Sequence, residues 1–305
     1  MPIPENQLET WAKYHQTDKA KYTHEKVRNV INDYYYSKDY DFEDYLQGSY
    51  RNHTNIYADT DVDIVIQLNS IFRGNISELI EKLTEEYNNY YSSASYSLEN
   101  FKDEVVNALY DSFGYSRTEI GNKSIKILAD NSGSMYNADV IVAMQYRLYV
   151  PDKRKNTKKD GLGLYYYEGI LFNTSSGEEI INYPKLHYKN GKEKQENTNG
   201  LFKPIVRIFK NMRNTAQKKG YLWDKNIAPS YFIQCLLYNV PNYIFDGGYK
   251  IIIEDILYWL NNNINNDFIS QNEIVPLFGS GSDKWDITKS RIFIDALIKM
   301  WNNWE

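Results

Sequence analysis

Between Asp61 and Leu68 the chain alternates without a break: Val62, Ile64, Ile66 and Leu68 fall on one side, and Asp61, Asp63, Val65 and Gln67 on the other. A repeat of two residues is that of a β-strand, and an apolar set on one side makes it a half-buried strand inside a fold. Asp61 and Asp63 then share one face of a core strand. Two adjacent carboxylates repel each other and lose hydration on burial, so something must offset that cost. A divalent cation is the simplest candidate. Mg²⁺ prefers carboxylate oxygens together with the phosphates of a substrate.

The remaining chain reads as α-helix, then an α/β region, then a helical half. Residues 8–36 form one long helix or two abutting ones, with Val27, Val30, Ile31 and Tyr34 at helical spacing. A polar segment leads to Gly48-Ser49. Residues 76–91 and 98–113 are helical by their apolar stripes, the first through Ile76, Leu79, Ile80, Leu83 and Tyr87. Strands are expected at 123–129, 138–149 and within 165–183, with an exposed basic loop from Lys153 to Asp160. The hydrophilic, glycine-bounded run from Lys189 to Gly200 reads as a linker. Helices follow at 201–218, 229–239, 248–262 and 288–301, and a cleft between the two halves is expected to hold the ligand.

A third carboxylate, Asp139, opens the apolar run Ala138-Asp-Val-Ile-Val-Ala-Met. If that strand lies beside the first, three acids converge, enough to hold two metal ions about 3.5–4 Å apart. Just upstream of the first pair, Gly48-Ser49 forms a turn whose backbone N–H groups and hydroxyl suit a phosphate. Asp-x-Asp alone also marks glycosyltransferases. Gly-Ser, then Asp-x-Asp on an alternating strand, then a later strand Asp, is a far more specific series.

The helical half adds candidates for phosphate binding. Lys203, Arg207 and Lys210 share one face of the 201–218 helix, opposite Leu201, Ile205, Ile208, Phe209 and Met212. A solvated basic stripe gives the same pattern. The next helix opens with Ala228-Pro229-Ser230-Tyr231. Ser230 suits an N-cap or a phosphate contact, and Tyr231 suits core packing or base stacking.

The stretch Gly48-Ser-Tyr-Arg-Asn-His-Thr-Asn-Ile-Tyr-Ala-Asp-Thr-Asp-Val-Asp-Ile-Val-Ile resembles the signature of the polymerase β-like nucleotidyltransferases, and most closely that of the CD-NTases, bacterial relatives of cGAS and the oligoadenylate synthases. The lysine-bearing helix followed by a Ser-Tyr helix start strengthens the likeness. It implies an α+β fold: a nucleotidyltransferase core of mixed sheet and helices at 1–195, a helical C-terminal domain at 196–305, and a long N-terminal helix bridging the two. It also implies roles. Asp61, Asp63 and Asp139 hold Mg²⁺ (two ions, with Mn²⁺ as a substitute), and the third acid helps deprotonate the acceptor hydroxyl. Gly48, Ser49, Lys210 and Ser230 contact the triphosphate, and Tyr231 stacks on the donor base. The implied activity is joining ATP, GTP or pyrimidine nucleoside triphosphates into a cyclic di- or trinucleotide that activates an effector in anti-phage CBASS signalling, with accessory CBASS proteins as further partners. Linear products, modification of RNA or protein, and a non-catalytic nucleotide sensor are the competing readings.

Composition narrows the classes. A net charge of −5 provides no broad basic field for stable binding to long nucleic acid. His15, His24, His53 and His187 are scattered, and the single cysteine, Cys235, excludes a disulfide framework or a Cys-rich zinc site, as befits a cytoplasmic protein. No run of 18 apolar residues or signal core is present, so no membrane partner is expected. The 29 tyrosines suit a core with polar edges. His187 reads as structural, Cys235 as an inert filler, and the glycines at 279 and 281 as a loop.

Overall fold

In the computed structural model, which describes residues 1–15, 18–34, 40–57, 61–281 and 284–304, the alternating segment is β2 (Asp61–Asn75), in the middle of a mixed sheet. The other strands are β1 (Phe42–Leu46), β3 (Thr118–Ile120), β4 (Ile125–Ile127), β5 (Asn137–Val150), β6 (Lys158–Lys159), β7 (Tyr165–Asn173) and β8 (Glu179–Asn182). Their order is β1-β2-β5-β4-β3, with β7 taking over from β4 along the second half of β5 and itself flanked by β6 and β8. Only the β2–β5 pair is parallel among the described strands. Parallel neighbours need a long crossover. Here it contains α4 (Glu81–Tyr90), α5 (Leu98–Phe113) and the β3–β4 hairpin.

Two compact units make up the chain, one of Thr17–Gln47 and Thr60–Leu186, the other of Met1–Gln16, Gly48–Asp59 and His187–Glu305. In the sheet unit, α2 (Asp18–Asp33) and α5 pack on the sheet and supply Val27, Ile31, Phe101, Val105 and Leu109 to its core, with Val62, Ile64, Ile66, Leu68, Val140 and Val142 buried in the strands. Ser97 starts α5 with a capping box, its hydroxyl accepting from the Asn100 N–H while the Asn100 side chain accepts from the Ser97 N–H. Asp44 on β1 ties down α2 by accepting from Arg28 Nε at 2.6 Å and pairing with His24 Nε2 at 2.8 Å. The Asp61 side of the sheet carries a small apolar cluster of Val65, Ala143, Ile170 and Phe172. Farther along in this unit, Lys185 bridges Glu43 and the buried Glu168, which Lys158 also contacts.

The second unit is helical: α1 (Glu5–Ala12), α3 (Gly48–Asn52), α6 (Pro184–Asn197), α7 (Phe202–Lys218), α8 (Ser230–Tyr238), α9 (Tyr249–Asn263) and α10 (Ile287–Asn302). Its core draws Leu8 from α1, Phe209 from α7, Leu236 from α8, Ile253 from α9 and Phe293 from α10. Glu5 of α1 caps α9, its carboxylate accepting from the N–H groups of Tyr249 (2.7 Å) and Lys250 (2.8 Å). No helix among the described residues is long and apolar enough to cross a membrane.

Four expectations are corrected. Of the two readings of the N-terminal segment the structure has the second, two helices, α1 and α2, and not the long helix that the resemblance implied. β1 lies in the stretch read as merely polar. The 76–91 helix begins only at Glu81, because β2 runs on to Asn75; Ile76, Leu79, Leu83 and Tyr87 still pack together, against Tyr149 and Tyr166, while Ile80 is exposed. The 189–200 linker is mostly α6. That helix escapes an apolar-periodicity test because the residues it buries include His187, Asn190, Lys194 and, just beyond its end, Thr198. Gly191 in its middle imitates a breaker, but its role is spatial: a Cβ there would overlap the Gln271 amide, which donates to the His187 carbonyl at 2.6 Å.

Replacing a mid-helix glycine by alanine ordinarily stabilises by about 0.5–1 kcal/mol. Gly191→Ala is expected to have the opposite sign, a loss of roughly 1–3 kcal/mol from overpacking, read as a lower urea midpoint at unchanged slope. A stabilised variant would show that the Gln271 amide yields freely.

Candidate active site

The acidic residues are placed by register. β2 and β5 run parallel with Asp63 directly opposite Asp139 and Asp61 opposite Asn137, and β4 brings Lys126 opposite Asp139 from the other side. Paired residues point to the same face of a sheet, so Asp61, Asp63, Asp139 and Lys126 form one patch. The alternation in the sequence thus places the three carboxylates on neighbouring strands, as the reading of the residues required. Their side chains are already engaged. Asn137 Nδ2 donates to Asp61 at 3.1 Å, Ser124 Oγ donates to Asp139 at 3.2 Å, and Lys126 Nζ lies 3.7 Å from Asp61. Asn137, Ser124 and Lys126 carry no motif and were not singled out from the sequence.

As placed, no three His, Cys, Asp or Glu side chains among the described residues come together to hold a metal ion. The donor set nonetheless fits Mg²⁺. It is made of hard carboxylate oxygens on adjacent strands, one flanked by a lysine that offsets its charge. Mg²⁺ keeps several waters and takes substrate phosphates as ligands, so it does not need an all-protein cage.

The second set of predicted residues lies in the helical unit. Gly48 sits at φ 64°, a left-handed conformation that glycine adopts without strain, and its carbonyl accepts from Asn52 Nδ2 at 2.8 Å. Ser49 follows in the first turn of α3, and its carbonyl accepts from the Thr54 N–H at 2.9 Å. The basic face of α7 is not a solvated stripe. Arg207 is buried and donates to the carbonyls of Ala12 (2.6 Å) and His53 (2.5 Å); burial lowers its pKa to about 10. Lys210 is 1% exposed and donates to the Thr54 carbonyl at 3.0 Å. Lys203 stays partly open beside the Tyr188 ring, over which the Arg51 guanidinium is centred at 4.1 Å. Burial, then Arg207, Lys192 and Arg51, hold the Lys203 ammonium below the usual lysine range. Lys203 was visible on the sequence as part of the stripe, whereas Arg51 was not singled out.

Ser230 is the first residue of α8, so the cap position expected for it is taken by Pro229, whose side chain makes no capping bond. The Ser230 hydroxyl accepts from Arg213 Nη1 at 3.4 Å, and the same guanidinium holds the Ala228 carbonyl at 2.9 Å. The half-buried Tyr231 ring stacks with His187 (4.8 Å, 21°) and Trp285 (5.5 Å, 25°), so its orientation is set before any ligand arrives. Cys235 is the inert filler expected, its thiol pushed up to about 12 by burial.

His187 is neutral for the same reason: burial lowers its pKa from 6.5 to about 3, against a smaller opposing effect of its bond to Gln234. A folded-state value below the unfolded one means that the unfolded chain binds the extra proton, so stability is lost as pH falls from about 6.5 towards 3 and is unaffected above that window. The residue's share of the slope is about 1.4 kcal/mol per pH unit. His187→Gln is expected to flatten the decline in denaturant midpoint between pH 6.5 and 4.5; an unchanged slope would mean that His187 does not titrate in this way.

Similarity to known proteins extends along the whole chain. The family model described as the cGAS/DncV-like nucleotidyltransferase C-terminal helical domain matches residues 189–302. The cyclic nucleotide synthase CdnE01 of Staphylococcus haemolyticus is 40% identical over 310 residues, spanning 100% of both chains. The cyclic UMP-AMP synthase of Rhodothermus marinus is 38% identical over 306 residues, 100% of this chain and 99% of the relative. The structure of the Rhodothermus marinus CdnE c-UMP-AMP synthase with Apcpp and Upnpp superimposes with a TM-score of 0.87 at 37% identity, covering 99% of this chain and 98% of that one. With its paired acidic strands and its matching helical C-terminal half, this chain belongs to the CD-NTases, the cGAS/DncV-like nucleotidyltransferases.

Proposed function

We propose that this nucleotidyltransferase joins two or three nucleoside triphosphates into a cyclic oligonucleotide, released as a second messenger in anti-phage defence of the CBASS type. The observation that carries the reading is the register of Asp61, Asp63 and Asp139 on one sheet face, in a chain similar from end to end to cyclic nucleotide synthases. The relative whose structure holds Apcpp and Upnpp makes ATP and UTP the first substrate pair to test. A downstream effector that recognises the product, and accessory CBASS proteins, are the partners this reading implies.

The chemistry is in-line attack of a ribose hydroxyl on an α-phosphate. A new P–O bond forms, the bond to pyrophosphate breaks, and the hydroxyl proton passes to Asp139. Asp61, Asp63 and Asp139 would hold two Mg²⁺ ions, for which Mn²⁺ can substitute; bound there, they supply charge stabilisation to the attacking and leaving oxygens. The triphosphate rests on the Gly48–Ser49 backbone and hydroxyl, with Ser230 as a further contact. Lys210, whose ammonium donates to the Thr54 carbonyl, is another phosphate contact. Arg51 and Lys203 are additional candidates, because a polyanion relieves the mutual repulsion that, after burial, holds the Lys203 ammonium below the usual lysine range. Tyr231 stacks on the donor base. A last turnover of the same site on the linear intermediate, the second for a dinucleotide and the third for a trinucleotide, closes the ring.

The test is incubation of the pure protein with all four ribonucleoside triphosphates and Mg²⁺, or Mn²⁺, followed by phosphatase and mass spectrometry. A phosphatase-resistant product is expected, reduced at least about a hundredfold in Asp61→Ala/Asp63→Ala and in Asp139→Ala. Products that phosphatase degrades would support a linear nucleotidyltransferase instead. Nucleotide binding without turnover under either metal would support a sensor.

A further inference from the structure

The groups assigned above to the donor nucleotide lie on separate segments of the helical unit, and one buried residue without a motif connects them. Thr54 is 2% exposed. Its N–H donates to the Ser49 carbonyl at 2.9 Å, its carbonyl accepts from Lys210 Nζ at 3.0 Å, and its hydroxyl donates to Gln234 Oε1 at 3.3 Å. Gln234 lies on α8 one turn beyond Ser230 and Tyr231. The Gln234 Nε2 group lies 3.1 Å from Gln271 Oε1, to which it donates, and 3.0 Å from His187 Nε2. Both N–H donors of the Gln234 amide are then used, which leaves His187 Nε2 as an acceptor and puts the imidazole proton on Nδ1, a buried atom with no hydrogen-bond partner among the described residues. His187 is the ring stacked against Tyr231.

We propose that Thr54 is the positioning residue of the donor site. It fixes the phosphate-binding turn against Lys210 with its main chain, and through its hydroxyl and Gln234 it fixes that turn against the helix and histidine that orient Tyr231. This inference rests on the proposed function, because it assigns the aligned groups to one nucleotide. The physical argument is one of geometry. Ser49, Lys210 and Tyr231 act on opposite ends of the same ligand, so their spacing must match its length. A buried hydrogen-bonded network is a stiff way to hold such a spacing, because every member left unpaired carries a desolvation cost. Thr54 does not touch the nucleotide in this scheme.

Thr54→Val tests it with little change of shape. Both residues are β-branched, and the substitution keeps the main-chain bonds to Ser49 and Lys210 while removing only the hydroxyl. The measurements are melting temperature, Kd for a non-hydrolysable nucleoside triphosphate, and KM and kcat for the triphosphates. Thr54→Val is expected to raise Kd and KM about tenfold, as for loss of one buried hydrogen bond, with kcat within about threefold. Thr54→Ser, which restores the hydroxyl, returns Kd and KM to within about twofold of wild type. Gln234→Met breaks the same bond from its other end and gives the Thr54→Val phenotype, and the double variant is no worse than either single one.

A folded Thr54→Val protein with unchanged Kd and KM, or a Thr54→Ser protein as impaired as Thr54→Val, overturns the inference and makes the network purely structural. So does a fall in kcat at constant KM. If wild-type protein binds no triphosphate, the proposed function fails and this inference fails with it; loss confined to the variants is the signature of Thr54 alone.

Discussion

The parallel pairing of β2 with β5 is the interaction on which the acidic site depends, and it joins two strands at a place where their side chains repel. Asp63 faces Asp139 across one strand spacing. Two such charges about 5 Å apart cost roughly 1–3 kcal/mol between the dielectric of water and that of a protein surface. The other face of the same strands buries Val62, Ile64, Ile66, Leu68, Val140 and Val142, each worth about 1.5–3 kcal/mol. Burial wins by a wide margin, and it also enforces the register. A slip of one residue would turn the apolar set outward and bury the acids. The core therefore selects the arrangement in which the carboxylates meet.

The helical unit solves a different problem with a recurring device. It keeps cations inside and directs them at main-chain carbonyls: Arg207 at Ala12 and His53, Lys210 at Thr54, Lys194 at Val240, Arg213 at Ala228. Each of these carbonyls lies at a helix end or in a connecting segment, where the regular ladder leaves acceptors over. Buried cations thereby fasten irregular backbone to regular helices. Burial strips these groups of hydration and so lowers the pKa of Arg207 to about 10 and of Lys194 to about 8.

What could be read from the amino acids follows from what periodicity records. A period of two locates Asp61 and Asp63 on one face, and an apolar run begun by Asp139 identifies the partner strand, because burial on one side of a strand leaves a mark on every second residue. Periodicity also finds the basic face of α7, but it cannot say what covers that face, so Arg207 and Lys210 look solvated when they are buried. α6 hides because it buries polar groups and spends its glycine on making room for Gln271. Gln234 left a trace, a lone amide inside the apolar run Phe232-Ile-Gln-Cys-Leu-Leu, since a polar residue in such a place must find partners. Thr54 left none. Its importance lies in three contacts with residues at separations of up to 180 positions, and no local pattern encodes those.

The helical unit is stitched from three stretches of chain, with the turn at 48–57 and helix α1 far in sequence from the helices they join. A polypeptide emerging from the ribosome exposes Leu8 and Thr54 long before α7, α8 and α9 exist to receive them. The sheet, by contrast, has all of its strands by Asn182 and can consolidate first. Long loop closure makes the later step slow. Synthesis order therefore separates the two units in time: the acidic strands can assemble on a nascent chain that still lacks α7, α8, α9 and α10, and a ribosome-bound fragment of this protein is expected to hold a formed sheet well before its helical unit.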